Sequence, residues 1–245
     1  MGQTQPFITQ SIRNVQLSLK QSSFIVLAPP LFAIAFFALH FINRRLYIWL
    51  LEEWRPVEDL QFIFFALACW MAFRITRRLW LSHQRAFAVL YLLFCIAMLF
   101  IAGEEVSWGQ PVFRRIFTWW PDRNALRDIN AQGETTVHNM RAVQWIFNWF
   151  YLLLALYGTL SPLLVWVRHW QEDPRARLLV PPLITVPAFG IMAVFMITRV
   201  FIAPYTGLVN SQSYMRYKEV GELTLAFGLW IFTTMNWRRL SSSSV

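Results

Sequence analysis

Apolar residues in this chain come in long runs broken by short polar stretches, rather than in the narrow stripes of a soluble amphipathic helix. The runs 23–42, 86–103, 143–167, 178–203 and 219–237 each approach or exceed the roughly 20 residues that a helix needs to cross the hydrocarbon core of a bilayer. A sixth run, 60–73, is shorter, so its helix must borrow residues 56–59 at one end or 74–80 at the other, with arginines snorkelling to the interface. The pattern predicts an all-α polytopic membrane bundle of six transmembrane helices, with spans at about 23–42, 57–76, 86–103, 143–167, 178–203 and 219–237. No internal repeat or linker divides it, so residues 1–245 form a single integral-membrane domain.

Composition strengthens this reading. The chain is 57% hydrophobic and only 14% charged, too apolar for one soluble core to bury. Most tryptophans fall at or beyond the ends of the expected spans, as an interfacial belt requires, and only Trp70 and Trp230 lie deep. The first 22 residues carry Arg13 and Lys20 without an apolar stretch or cleavage site, which argues against a removable signal peptide. Cys69 and Cys95 fall mid-span with neither metal-ligand nor disulfide spacing. The net charge of +9 is spread over loops with no dense basic run, so membrane lipids, not nucleic acid, are the expected partner.

Lys and Arg divide almost evenly between the two faces, but Arg74, Arg77, Arg78 and Arg85 crowd one short loop, where the positive-inside bias is strongest. This predicts that both termini are cytoplasmic and that the acidic face is outside. The acids then segregate. Of the thirteen Asp and Glu, all but Glu172 and Asp173 fall on the outer face. The connection 104–142 is long for a compact protein, and its charges and aromatics mark it as functional, with a short interfacial helix expected at 113–120 and a helical turn at 130–139.

Three polar strings stand out on that face. Glu104 and Glu105 end the third span, where the helix dipole disfavours negative charge and something must offset it. Glu134 and His138 stand four apart, on one face of a helix, and carboxylate with imidazole at that spacing can chelate a divalent metal such as zinc or iron. Glu219 and Glu222 open the last span on one face, where the dipole favours acids, as it also does for Glu58 and Asp59 after Pro56. Arg199 lies inside the fifth span and is costly to leave unpaired; His40, near the end of the first, is expected to satisfy a local hydrogen bond.

The strings Gly103-Glu104-Glu105-Val106-Ser107-Trp108-Gly109-Gln110 and Gln132-Gly133-Glu134 through His138-Asn139 resemble a group of uncharacterised bacterial multi-pass inner-membrane proteins with a GEExSWGQ and QGExxxHN pattern. The resemblance implies bacterial origin and membrane location and no particular chemistry. The Glu104-Glu105 pair is also similar to the opening of the membrane-embedded CAAX-type protease pattern. Gly109 stands where that pattern has an arginine, however, and only His138 follows on the same face.

The leading expectation is a metal-dependent, hydrolytic membrane enzyme acting on a lipid-like or lipid-linked substrate near the outer leaflet. Glu134 and His138, with one or both of Glu105 and Glu222, would hold the metal, Glu104 would serve as general base, and Arg114, Arg115 and Arg199 would hold an anionic headgroup. Two alternatives are an ion-coupled transporter, with Pro181, Pro182, Pro187 and Gly190 breaking the fifth span, and a non-catalytic accessory subunit held by a membrane-protein partner.

Overall fold

The computed structural model describes residues 17–52, 55–109, 144–170, 173–208 and 211–242. The expected interfacial helix at 113–120 and the turn at 130–139 lie outside these residues. Among the described residues the chain is helical, with no strand: α1 (Leu19–Ile42), α2 (Arg44–Leu50), α3 (Pro56–Leu81), α4 (Arg85–Glu105), α5 (Gln144–Val167), α6 (Pro174–Leu179), α7 (Val186–Ile197), α8 (Ala203–Thr206) and α9 (Gln212–Ser242).

The helix ends follow local chemistry. Ser18 caps α1, accepting from the Gln21 N–H while the Gln21 side chain returns a bond to the Ser18 N–H. The Asn43 side chain caps α2 by accepting from the Leu46 N–H at 3.0 Å. Pro56 opens α3, where its missing N–H costs nothing. The fifth run does break as its prolines suggest. α6 stops at Leu179, residues 180–182 are non-helical, a 3₁₀ turn covers Leu183–Thr185, and α7 restarts with Pro187 in its first turn. Beyond α7 the helix widens into a π-helical turn, Thr198–Ile202, that carries Arg199.

Five helical segments are long and apolar enough to cross a membrane: α1, α3, α4, α5 and the broken run from Arg175 to Thr206. Large apolar side chains such as Leu27, Ile34, Leu93, Leu153 and Val194 are exposed on their outer faces, a surface that suits lipid and not water. α9, with 31 residues, is long enough to cross but less apolar. It is buried along every residue from Val220 to Leu229, so protein surrounds it. A helix in the middle of a bundle needs no greasy exterior, and this is why Gly221, Thr224, Gly228, Thr233 and Asn236 are tolerated there.

α9 packs on α3, α7 and α1, while α3 pairs along its length with α4, and α7 pairs with α5. Small residues allow the close approaches. A Cβ on Gly158 of α5 would run into the Phe189 ring of α7, and one on Gly221 would meet Met192 Sδ at 2.7 Å. The main core joins Phe65, Met98, Leu152, Phe189, Met196 and Leu225. Cys69 and Cys95, whose spacing gives no reason to pair them, face each other across α3 and α4 with their sulfurs 3.5 Å apart.

At the end of the bundle where α3 stops and α4 begins, hydrogen bonds that involve no carboxylate close the packing. The Tyr91 hydroxyl donates to the Leu178 carbonyl at 2.6 Å, and the Asn236 amide donates both to Tyr91 Oη at 2.6 Å and to the Leu178 carbonyl at 3.1 Å. Arg239 donates to the Arg177 carbonyl and to Asn236 Oδ1, both at 3.0 Å, while the Arg74 guanidinium lies 3.9 Å from the Trp237 ring centroid.

Candidate functional site

The opposite end of the bundle gathers the acids. The motif at the end of α4 divides its two glutamates between two tasks. Ser107 and Trp108 take left-handed backbone angles, with φ of 47° and 51°, which fold the chain back on the helix. The Trp108 ring then lies over Gly103, where a Cβ would come within 2.7 Å of it, and its indole N–H donates to Glu104 Oε1. Gly103, Glu104 and Trp108 thus form one unit, with Glu104 buried in it. Glu105 is freed to face the bundle.

There it meets side chains from α3 and α9. Glu222, Glu219 and Glu58 all act on Glu105 through space, as does the Lys218 ammonium. Lys218 Nζ lies 2.7 Å from Glu222 Oε1, paired by charge although out of hydrogen-bonding alignment. The Tyr151 hydroxyl of α5 is directed at the Glu222 carboxylate, and Lys218 Nζ sits 5.4 Å from the Tyr151 ring centroid. Gln61 of α3 donates through Nε2 to the Glu219 carbonyl at 2.8 Å and to Glu219 Oε2 at 3.3 Å. Gln61 and Glu222 are buried, so these charges sit largely out of water, where like charges repel strongly and unlike ones attract strongly.

Arg199, on the π-helical turn, lies within electrostatic reach of Glu222, Glu219 and Tyr214. Its Nη1 is 3.6 Å from Met215 Sδ, and among the described residues it makes no ion pair. His40 departs from expectation. Its Nδ1 is buried without a hydrogen-bond partner among the described residues, the ring standing edge-on to Tyr47 at 5.2 Å. Tyr47, on α2 between spans, donates to the Ser213 carbonyl at 2.7 Å. Burial, with Tyr217 and Glu219 nearby, pushes its phenol up from the ordinary value, so it stays a donor.

Of the site residues expected from sequence, the structure therefore joins Glu105 and Glu222 in one cluster with Arg199 at its edge, and sets Glu104 beside it on Trp108. Arg114, Arg115, Glu134 and His138 lie outside the described residues. Among the described residues, no group of three or more His, Cys, Asp or Glu side chains is placed to hold a metal ion. Sequence reasoning missed Tyr151, Gln61 and the pairing role of Lys218. Lys218 adjoins Glu219 and shares a helical face with Glu222, a readable signal; Tyr151 and Gln61 sit in apolar runs with nothing to mark them. Comparison with family models, with curated proteins and with solved structures finds no significant match.

Proposed function

We propose that the protein is a six-crossing enzyme of the bacterial inner membrane, with both termini cytoplasmic, that performs acid–base chemistry on a lipid-like substrate at the outer face. The observation that supports this most is the convergence of Glu105, Glu219 and Glu222 from two helices distant in sequence upon Lys218 and Tyr151, inside an apolar bundle. Structural packing alone has little use for so many like charges in a dry interior, whereas a proton-handling site needs them. In this reading Glu105 is the general base, Glu104 positions it through the Trp108 turn, and the Lys218–Glu222 pair and Tyr151 hold the charge that develops. Arg199 faces the substrate's anionic group, aided by Arg114 and Arg115. The metal-assisted form adds a divalent zinc or iron ion on Glu134, His138 and Glu222, and elemental analysis of purified wild type against His138→Ala tests that form separately.

The test of the enzyme is a comparison of lipid extracts from membranes producing the wild type and Glu105→Gln at equal levels. At least one lipid species is expected to change more than tenfold with the wild type only. Identical extracts overturn the reading. The interrupted fifth span favours ion-coupled transport as a second reading, because broken helices line the pathways of carriers. Ion uptake by proteoliposomes that stops on Glu105→Gln, with unchanged lipids, would establish it. Recovery in fixed stoichiometry with a second membrane protein, with neither activity, would point to an accessory subunit.

A further inference from the structure

A groove of about 800 Å³ runs between α1, α7 and the beginning of α9, within the span of about 300–1,000 Å³ usual for small-molecule sites. Its length is apolar, lined by Ala33, Phe37, Pro187, Ile191 and Val194. Phe37 and Val194 are exposed on the lipid-facing surface, so the groove opens sideways toward the bilayer. Its far end is different in kind. His40, Ser213 and Tyr214 line it there, and each carries a buried polar atom (Nδ1, Oγ and Oη) with no hydrogen-bond partner among the described residues. Ser213 is only 8% exposed.

A buried polar atom without a hydrogen bond is destabilising, and three of them lining one end of a groove mark an incomplete site. All three groups can donate a hydrogen bond, and the Arg199 cation stands within electrostatic reach of Tyr214 without an ion-pair partner among the described residues. Glu219 and Glu222 also act on Arg199 through space. Three donors beside a cation favour an anion at this end of the groove.

We infer that this groove binds a membrane amphiphile with a phosphate-like head, its chain lying along Phe37, Pro187, Ile191 and Val194 and its head taking the donors of His40, Ser213 and Tyr214. Such a head forms charge-assisted bonds with these groups and adds a negative charge close to Arg199. Arg199 then links groove and acid cluster, since it senses both Tyr214 and Glu222. The inference deepens the lipid-substrate reading above and rests on that reading for the purpose of the site, though not for the binding itself.

The test is equilibrium binding of radiolabelled farnesyl phosphate to the full chain in neutral phosphatidylcholine nanodiscs, with farnesol and inorganic phosphate as competitors. Saturable binding is expected, with farnesol competing at least tenfold more weakly than unlabelled farnesyl phosphate and inorganic phosphate not competing in the same range. The Ser213→Ala/Tyr214→Phe double variant should bind at least tenfold more weakly. So should Val194→Trp, which fills the groove at a lipid-exposed position where folding tolerates the change; unaltered melting temperature is the control for both. Equal competition by farnesol, displacement by inorganic phosphate alone, or unchanged binding by both variants would overturn the inference. Glu105→Gln should bind the probe normally. Binding intact without lipid turnover in the wild type would remove the enzyme reading alone, and turnover without groove-dependent binding would remove the groove alone.

Discussion

The two ends of this bundle solve the burial of polar groups in opposite ways. At one end Tyr91, Asn236, Arg239 and the carbonyls of Leu178 and Arg177 match donor to acceptor, all without a carboxylate. At the other, the carboxylates of Glu105, Glu219 and Glu222 crowd around one lysine, and neighbouring His40, Ser213 and Tyr214 keep unsatisfied atoms. The first end is closer to what stability asks for, since polar groups that bond one another in a low-dielectric interior rigidify the fold. The second stores repulsion and unmet hydrogen bonds. Proteins keep such arrangements where a ligand, proton or reacting group supplies what is missing.

Substitutions at the two ends should therefore separate stability from function. The largest loss of stability is expected from Lys218→Met, which removes the cation paired with buried Glu222; breaking a buried pair by removing one partner costs about 3–5 kcal/mol. Adding Glu222→Gln should recover much of that loss in denaturant or thermal melts of the detergent-solubilised protein. No recovery would mean that the acids do not repel one another as proposed. Asn236→Ala at the other end should cost about 1–3 kcal/mol, because Tyr91 and the Leu178 carbonyl lose their shared donor. It should leave lipid chemistry and probe binding unchanged.

Glu105→Gln is expected to abolish lipid chemistry while leaving the melting temperature equal to or above wild type, since it removes one of several like charges; a marked drop in stability would reassign Glu105 to the framework. The smallest loss of stability belongs to Arg74→Ala, which loses the stack on Trp237 and should cost about 0.5–1 kcal/mol at this partly exposed site. Melts check the comparison as a whole: the loss of stability should fall from Lys218→Met through Asn236→Ala to Arg74→Ala, with Glu105→Gln at or above wild type.

How much was legible beforehand differs from residue to residue. The segregation of the acids to one end could be read directly, because each apolar run reverses the chain and sorts the loops alternately. Glu105 and Glu222 were marked by their depth at span ends, and Arg199 by being charged within a span. Nothing in the string Gly103–Gln110 said which glutamate would turn inward. That choice depends on the left-handed turn at Ser107 and Trp108, which ties Glu104 to the indole. Tyr151 and Gln61 were invisible because their neighbours are uniformly apolar, so no periodicity shows which face of the helix meets α9.

The chain by itself determined that this is a helical, membrane-suited protein and that the span-end acids Glu58, Glu105, Glu219 and Glu222 lie at one end, because hydrophobicity and alternation are properties of segments, read without knowing who their neighbours are. Only the tertiary structure decided that α9 is the buried centre, that Cys69 faces Cys95, that Glu105 and not Glu104 joins Lys218 and Glu222, and that a groove with three orphaned polar atoms runs beside them. Those facts depend on how the helices rotate about their axes. In a bundle that rotation is set by close packing at points such as Gly158 against Phe189, to which no single run of sequence is a guide.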